Sequence, residues 1–370
     1  DFEDSQCPTW EALVSGQVNL AAAVRREVEA LQLSAQDKRT PVTLRMAAEL
    51  AVWAAEHPGA ALPLAATCFA FPAGSRAALY QKYLLLRALG LSAEEFVVVL
   101  KAAMKVALGM LNRGRWSTLV GVVVATLASL SEQSKDVARQ WLRAGRIPMR
   151  AESVDDDLAA FCFWHKSIGE YLCALAFWSD PVGATTSSPL REPFSQREPQ
   201  VLAFFSEMAG GSRDRRDVVC GMQLLSVVQL RRPPHVGAAS NALALMGATS
   251  YPMHGTDLRD VVVERCNLTG ASLDGADLRG ATFRSCTLRG TSLAWAQIGG
   301  LVFVGDCGFG MPRPPIKHQL PYSQIMLMSV SRDATRAVVI SLKSLHVIDL
   351  ALCIVARQVQ TSNDVSKLCM

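Results

Sequence analysis

The sequence predicts a multidomain chain in three successive fold classes: an all-α N-terminal region, a repetitive solenoid and a short antiparallel β segment. Three observations carry that expectation. Apolar residues recur at helical spacing through the first 250 positions, an unbroken five-residue period runs from 256 to 303, and short apolar strands follow residue 320. With 370 residues, 50% hydrophobic and 19% charged, the chain has enough apolar content for several buried cores.

The helical region declares itself through caps and stripes. Ser34 with Asp37, and Ser92 with Glu95, stand at capping-box spacing, and the second pair precedes a stripe of Phe96, Leu100, Met104, Ala107 and Leu111. Another stripe starts near Arg76 with Leu79, Tyr83, Leu86 and Leu89 and stops at Gly90, a left-handed cap. The longest apolar run, Thr118 to Leu130, is too short to span a bilayer and reads as a buried helix. Alternation over Leu158 to His165 sets Phe161 and Phe163 against Cys162 and Trp164, and a helix follows through Ile168, Tyr171, Leu172, Leu175 and Trp178. A short strand feeding a helix among other helices suggests a winged-helix element. Ser179 to Pro199 reads as a linker or long loop, and Pro199 then opens a helix as its first residue. Further helices are expected over 218–230 and 237–246.

In the five-residue period the central positions are Leu258, Val263, Leu268, Leu273, Leu278, Phe283, Leu288, Leu293, Ile298 and Phe303. Two residues before each stands a mostly small residue, from Thr256 through Cys266, Ala276 and Cys286 to Leu301. Five matches neither the period of a helix nor that of a strand, so a short unit must turn the chain by a fixed angle each time.

Ala271-Ser272-Leu273-Asp274-Gly275 and Ala276-Asp277-Leu278-Arg279-Gly280 show the unit most clearly, and they resemble the pentapeptide-repeat family. The resemblance implies a right-handed quadrilateral β-helix with one unit per face. Positions twenty apart would then stack at about 4.8 Å, placing Leu258, Leu278 and Ile298 on one ladder and Cys266 with Cys286 on another. Ten units make about two and a half coils, so neighbouring segments are expected to cap the stack.

Beyond the glycine- and proline-bearing stretch 308–321, strands are expected over 325–331, 336–341 and 345–350, with a fourth at 354–358. Ser331-Arg332-Asp333-Ala334 and Val347-Ile348-Asp349-Leu350 resemble one blade of a Trp-Asp repeat propeller, with Ala334 where glycine is usual and Ile348 in place of the tryptophan. One blade cannot close a propeller, so the chain looks cut from something longer.

Phe163-Trp164-His165-Lys166-Ser167-Ile168-Gly169-Glu170-Tyr171-Leu172-Cys173-Ala174 resembles the segment that ends the winged-helix part of NACHT-family signalling NTPases, matching at His165, Ile168, Glu170, Tyr171 and Ala174 and departing at Gly169. Thr40-Pro41-Val42-Thr43-Leu44-Arg45-Met46 resembles the start of the first helical domain of the same family. The resemblance implies that His165 reaches the β-phosphate of bound ADP, that Pro41 contacts the adenine face, and that exchange of ADP for ATP frees a helical module. It further implies an NTPase core before Asp1, with no cofactor held by this stretch alone. The implied organisation is a helical domain over 1–110, a winged-helix-like domain over 111–180, a linker and helical domain over 181–250, the pentapeptide β-helix over 251–310 and a partial blade over 320–370. Expected partners are proteins, through solenoid and propeller, with oligomerisation on activation.

Other classes are disfavoured. No glycine is followed by lysine, so a phosphate loop is missing and this stretch is not expected to hydrolyse ATP. The ten cysteines form no Cys-x-x-Cys pair and the six histidines are dispersed, which argues for reduced structural thiols and against a metal site. An opening on Asp1, Glu3 and Asp4 has no signal-peptide character, so the expected location is cytoplasmic, with no membrane partner. A net charge of +4 is too slight to argue for nucleic acid, and Arg213, Arg215 and Arg216 alternate with Asp214 and Asp217. In the solenoid, Asp257, Asp260, Glu264, Asp274 and Asp277 face Arg259, Arg265, Arg279, Arg284 and Arg289, so it lacks the negative face of a DNA mimic. Two functions remain: the regulatory half of an ATP/ADP-dependent switch, or a passive protein-interaction scaffold.

Overall fold

A computed structural model of the protein describes residues 40–57, 71–72, 74–186, 192–209, 215–230, 236–249, 253–305, 307–308, 325–330, 336–341, 344–349 and 354–360, with residues 60, 62 and 251. They divide into two compact units, Asp1–Ala176 with Phe204–Gly211, and Phe177–Ala203 with Ser212–Met370. The Ser34–Asp37 cap lies outside the described residues.

The first unit is helical because its starts and stops are specified locally. Helix α1 (Pro41–Glu56) begins on a proline after the extended Thr40, the position where a missing N–H does no harm. Ser75 caps α2 (Arg76–Arg87) by accepting the Ala78 N–H at 3.1 Å. At α3 (Ala93–Arg113) both halves of the Ser92–Glu95 box form, at 2.8 and 3.2 Å, and Gly114 closes the helix at φ +63°. The buried face of α3 is broader than the predicted stripe: Phe96, Val99, Ala103, Val106 and Met110 share it with Ala107 and Leu111. Leu100 and Met104 are its half-buried edge, because a helix enclosed on two sides buries an arc wider than one row.

Next comes β1 (Ser117–Leu119), then α4 (Val120–Ser131) and α5 (Lys135–Arg143), then β2 (Met149–Ala151) and β3 (Ala160–Phe163). The strands form an antiparallel sheet in the order β1-β3-β2, with Thr118 opposite Phe161 and Arg150 opposite Cys162. Only β3 was legible in advance, since β1 and β2 hold three residues each, too few for a period. The apolar run split, Thr118 and Leu119 ending β1 and the rest forming α4, which buries Val120, Val123, Val124 and Leu127 and exposes Val122; no described helix is long and apolar enough to cross a membrane. Phe161 and Phe163 point into the core, as their alternation requires, and α6 (Lys166–Ser179) follows.

In the second unit the expected linker holds more structure than its composition suggests. Asp180 accepts the Gly183 N–H at 3.0 Å and Pro181 supplies a first helical residue, so 181–186 form a short helix, α7. Phe194 is fully buried and stacks on Phe177 at 5.2 Å. Helix α8 (Pro199–Ala209) does open on Pro199, while α9 (Arg215–Val228) and α10 (Val236–Ala248) start slightly before their predicted positions.

The pentapeptides stack at an offset of twenty. Strands β4 (Val262–Glu264), β5 (Thr282–Arg284) and β6 (Val302–Val304) pair in parallel, with Val263, Phe283 and Phe303 in register. Single bridges join Asp257 to Asp277, Ser272 to Ser292 and Asp277 to Gln297 on the other sides. Every fifth residue from Gly255 to Gly305 has positive φ; seven are glycine, and Asp260, Arg265, Ser285 and Trp295 adopt the same left-handed geometry with side chains. That residue is the corner that turns the chain. Leu258, Leu268, Leu278, Phe283 and Leu288 are buried as their period predicts, whereas Leu293, Ile298 and Phe303 in the last coil are only half-buried.

Four further strands, β7 (Ile325–Val330), β8 (Arg336–Ser341), β9 (Ser344–Asp349) and β10 (Ile354–Gln360), form an antiparallel meander in chain order, the fourth strand included. The Ser331–Ala334 motif lies outside the described residues.

Candidate functional site

Two places merit consideration, one in each unit. In the first, β3 delivers the chain to His165, which is exposed immediately before α6. Its Nδ1 accepts the Ser167 backbone N–H at 3.2 Å and lies 2.6 Å from Ser167 Oγ. An accepting Nδ1 puts the proton of the neutral ring on Nε2. Ser167 Oγ is also 2.6 Å from Tyr80 Oη, and burial pushes the Tyr80 hydroxyl up to about 12, so it remains a proton donor at neutral pH. Donation then runs from Tyr80 to Ser167 to His165, which fixes the imidazole against α2.

Beside it, Trp164 carries the Arg45 guanidinium 3.5 Å over its ring and stacks on Tyr83 at 6.3 Å. Arg45 also pairs with Glu49 at 3.0 Å, and Arg87 reaches both Glu49 and the Tyr83 ring. Through Arg45, the opening turns of α1 are tied to the residue preceding His165. Pro41 itself is exposed at the head of that helix.

Gly169 has a steric reason. A Cβ there would lie 2.5 Å from the Trp116 ring, inside any tolerable contact, so glycine admits the indole that Lys166 covers at 5.6 Å. Glu170 is buried and pairs with Lys166 at 3.5 Å.

The second place is the pentapeptide stack and its start. Within a coil, N–H groups bond to carbonyls one coil away, as Thr287 N–H does to Cys266 at 2.8 Å. The first coil has no coil before it, and two serines replace the missing acceptors. Ser195 Oγ accepts the Asn267 N–H at 2.9 Å and Ser240 Oγ accepts the Glu264 N–H at 2.8 Å. Asn241 holds the segment in place by accepting the Phe194 N–H at 2.9 Å and donating to the Glu192 carbonyl at 3.2 Å. Ser195, Ser240 and Asn241 are all fully buried. The expected capping by neighbours therefore comes from α10 and residues 192–196, an assignment no local pattern reveals because the partners are seventy-two and twenty-four residues apart in the chain.

Outside the stack, Arg259 pairs with Asp257 at 2.9 Å, Arg279 with Asp277 at 2.6 Å and Arg284 with Glu264 at 2.9 Å, so the outward columns are electrically balanced. Inside, burial pushes the Cys266 thiol well up and that of Cys286 up to about 11. These cysteines are structural. Trp295 stands apart: it is 75% exposed, at a corner where most units carry glycine, at φ +62°. Among the described residues, no group of three or more His, Cys, Asp or Glu is arranged to hold a metal ion.

Compared with known protein families, the chain matches Pentapeptide repeats, in eight copies over residues 256–293. No curated protein matches it.

Proposed function

We propose that this chain is a protein-interaction scaffold organised around its pentapeptide stack. The observation that supports the reading best is a stack that is internally apolar, capped at its first coil and charge-balanced outside, with Trp295 projecting from the last coil. Such a stack offers a regular, charge-balanced surface, and exposed tryptophan is a residue type that dominates interface energetics. We read the stack as a right-handed quadrilateral β-helix, supported by the twenty-residue offset and the corner at every fifth residue. The β7–β10 meander is read as a single blade of a Trp-Asp repeat propeller, and β1 to β3 with α3 to α5 as a winged-helix module, both on strand order.

The test is quantitative affinity purification from cells in which the protein is cytoplasmic, comparing wild type with Trp295→Ala and with Arg259→Glu/Arg279→Glu. Loss of the same partners from an outward-face variant that remains folded supports the scaffold. Identical recovery from all three proteins removes the stack from the binding surface.

A second reading, the nucleotide-controlled switch, rests on the placement of His165 between β3 and α6 and on its Nε2–H tautomer, suited to a phosphate oxygen. In this reading ADP and Mg²⁺ are held chiefly by an upstream NTPase core, and Pro41 flanks the adenine. An N-terminally extended protein should bind ADP, and His165→Ala should weaken binding; unchanged affinity sinks the latch.

A further inference from the structure

Helices α4 and α5 are joined by three residues, Glu132, Gln133 and Ser134, with Glu132 left-handed at φ +56°. Two helices joined by so short a turn are also the arrangement from which helix-turn-helix proteins place a helix in a DNA groove. On α5 the cations Lys135, Arg139 and Arg143 recur every fourth residue, while Ala138, Trp141 and Leu142 face the core. At about 1.5 Å of rise per residue, successive cations stand about 6 Å apart along the helix, close to two steps of a duplex strand.

Nothing reaches that stripe unopposed, however. The turn between β2 and β3 carries Glu152, Asp155, Asp156 and Asp157. Asp157 meets Arg139 at 2.7 Å, Asp155 pairs with Arg143, and Asp136 on α5 itself lies 3.7 Å from Arg139. Arg139 is left only 17% exposed. The approach is built into the backbone as well. The Asp157 carbonyl accepts the Gly121 N–H at 3.0 Å, and a Cβ on Gly121 would lie 2.9 Å from the Asp157 Cβ, so only glycine lets the turn come this close.

We propose that the 152–157 turn is an electrostatic cover over a nucleic-acid-binding stripe on α5, keeping this module off polyanions until the turn is displaced. The wild-type chain therefore stays off nucleic acid despite a helix-turn-helix surface that carries the cations for it. The ion pairs are solvent-accessible, so raised salt or a competing partner for the turn can open it.

The test uses the full chain and a fluorescein-labelled DNA duplex of random sequence, read by anisotropy at low salt. Asp155→Asn/Asp157→Asn should bind at least tenfold more tightly than wild type. With three phosphates neutralised, its affinity should fall about fortyfold between 50 and 200 mM salt. Gly121→Ala, with every charge intact, should show part of the gain, provided circular dichroism shows it folded. Adding Lys135→Gln/Arg139→Gln/Arg143→Gln to the double variant should abolish the gain. Equal binding by wild type and the double variant overturns the proposal, as does a gain that survives loss of the three cations. A variant that binds polyglutamate of matched charge but not DNA overturns it too, by assigning the stripe to acidic protein.

Discussion

Replacing Ser240 by alanine tests the capping argument at a single atom. Ser240 Oγ lies 2.8 Å from the Glu264 nitrogen and 2.7 Å from the Val236 carbonyl, and the residue is fully buried. Without the hydroxyl, the Glu264 N–H has no preceding coil to offer another acceptor. An orphaned buried donor costs about 1–3 kcal/mol, and alanine brings no compensating contact. The Val236 carbonyl opens its helix and keeps helical partners, so the amide carries most of the loss. Native-state hydrogen exchange read at individual amides is the assay. At Glu264 the variant should exchange roughly five to a hundred times faster, and amides of the last coil should change little. Ser195→Ala should do the same at Asn267, whose N–H it caps at 2.9 Å. Exchange at Glu264 unchanged in Ser240→Ala would refute the claim that the serine stands in for a missing coil.

Other expectations are more direct. Leu278→Asp places an unpaired charge where exposure is 1%, and should abolish the cooperative unfolding transition of the repeats, whereas Arg279→Ala, on the outward face, should leave it nearly unchanged. In Gly169→Ala, a helix-propensity gain of about 1 kcal/mol opposes an overpacking penalty of about 1–3 kcal/mol against Trp116, so urea denaturation should show net loss, relieved when Trp116→Ala is added. Burial raises the Cys286 thiol from 9.0 to about 11, so the unfolded chain ionises first: stability is intact below pH 9 and falls as pH rises towards 11. A urea midpoint that falls as steeply in Cys286→Ala over that range contradicts the assignment.

Much of the architecture was written locally. The Ser92–Glu95 box, the Pro199 start and the central residues of the pentapeptides from Leu258 to Leu288 all act within a few positions of themselves, and all reappear in three dimensions. What escaped was non-local or too brief to show a period: β1 and β2, Phe194 against Phe177, and the serines that cap the first coil. The corner was half-visible, since seven of its eleven residues are glycine, but Asp260, Arg265, Ser285 and Trp295 obscured the rule. Of the residues singled out by resemblance, His165 lies between β3 and α6, and Pro41 heads α1. The physical reason for Gly169 needed Trp116, fifty-three residues earlier, which no sequence spacing could connect to it.

The cap on the first coil also gives the chain a direction of assembly. Residues 192–196 and α10 leave the ribosome before any pentapeptide does, so the acceptors at Ser195 and Ser240 are in place when Glu264 and Asn267 emerge. Each later coil then meets a finished edge and needs to order only twenty residues to add itself, a growth process rather than a nucleation event. Translation arrested once residue 290 has cleared the ribosomal exit tunnel should already yield protease-resistant repeats, and moving the 192–248 segment behind them should delay that resistance until synthesis ends.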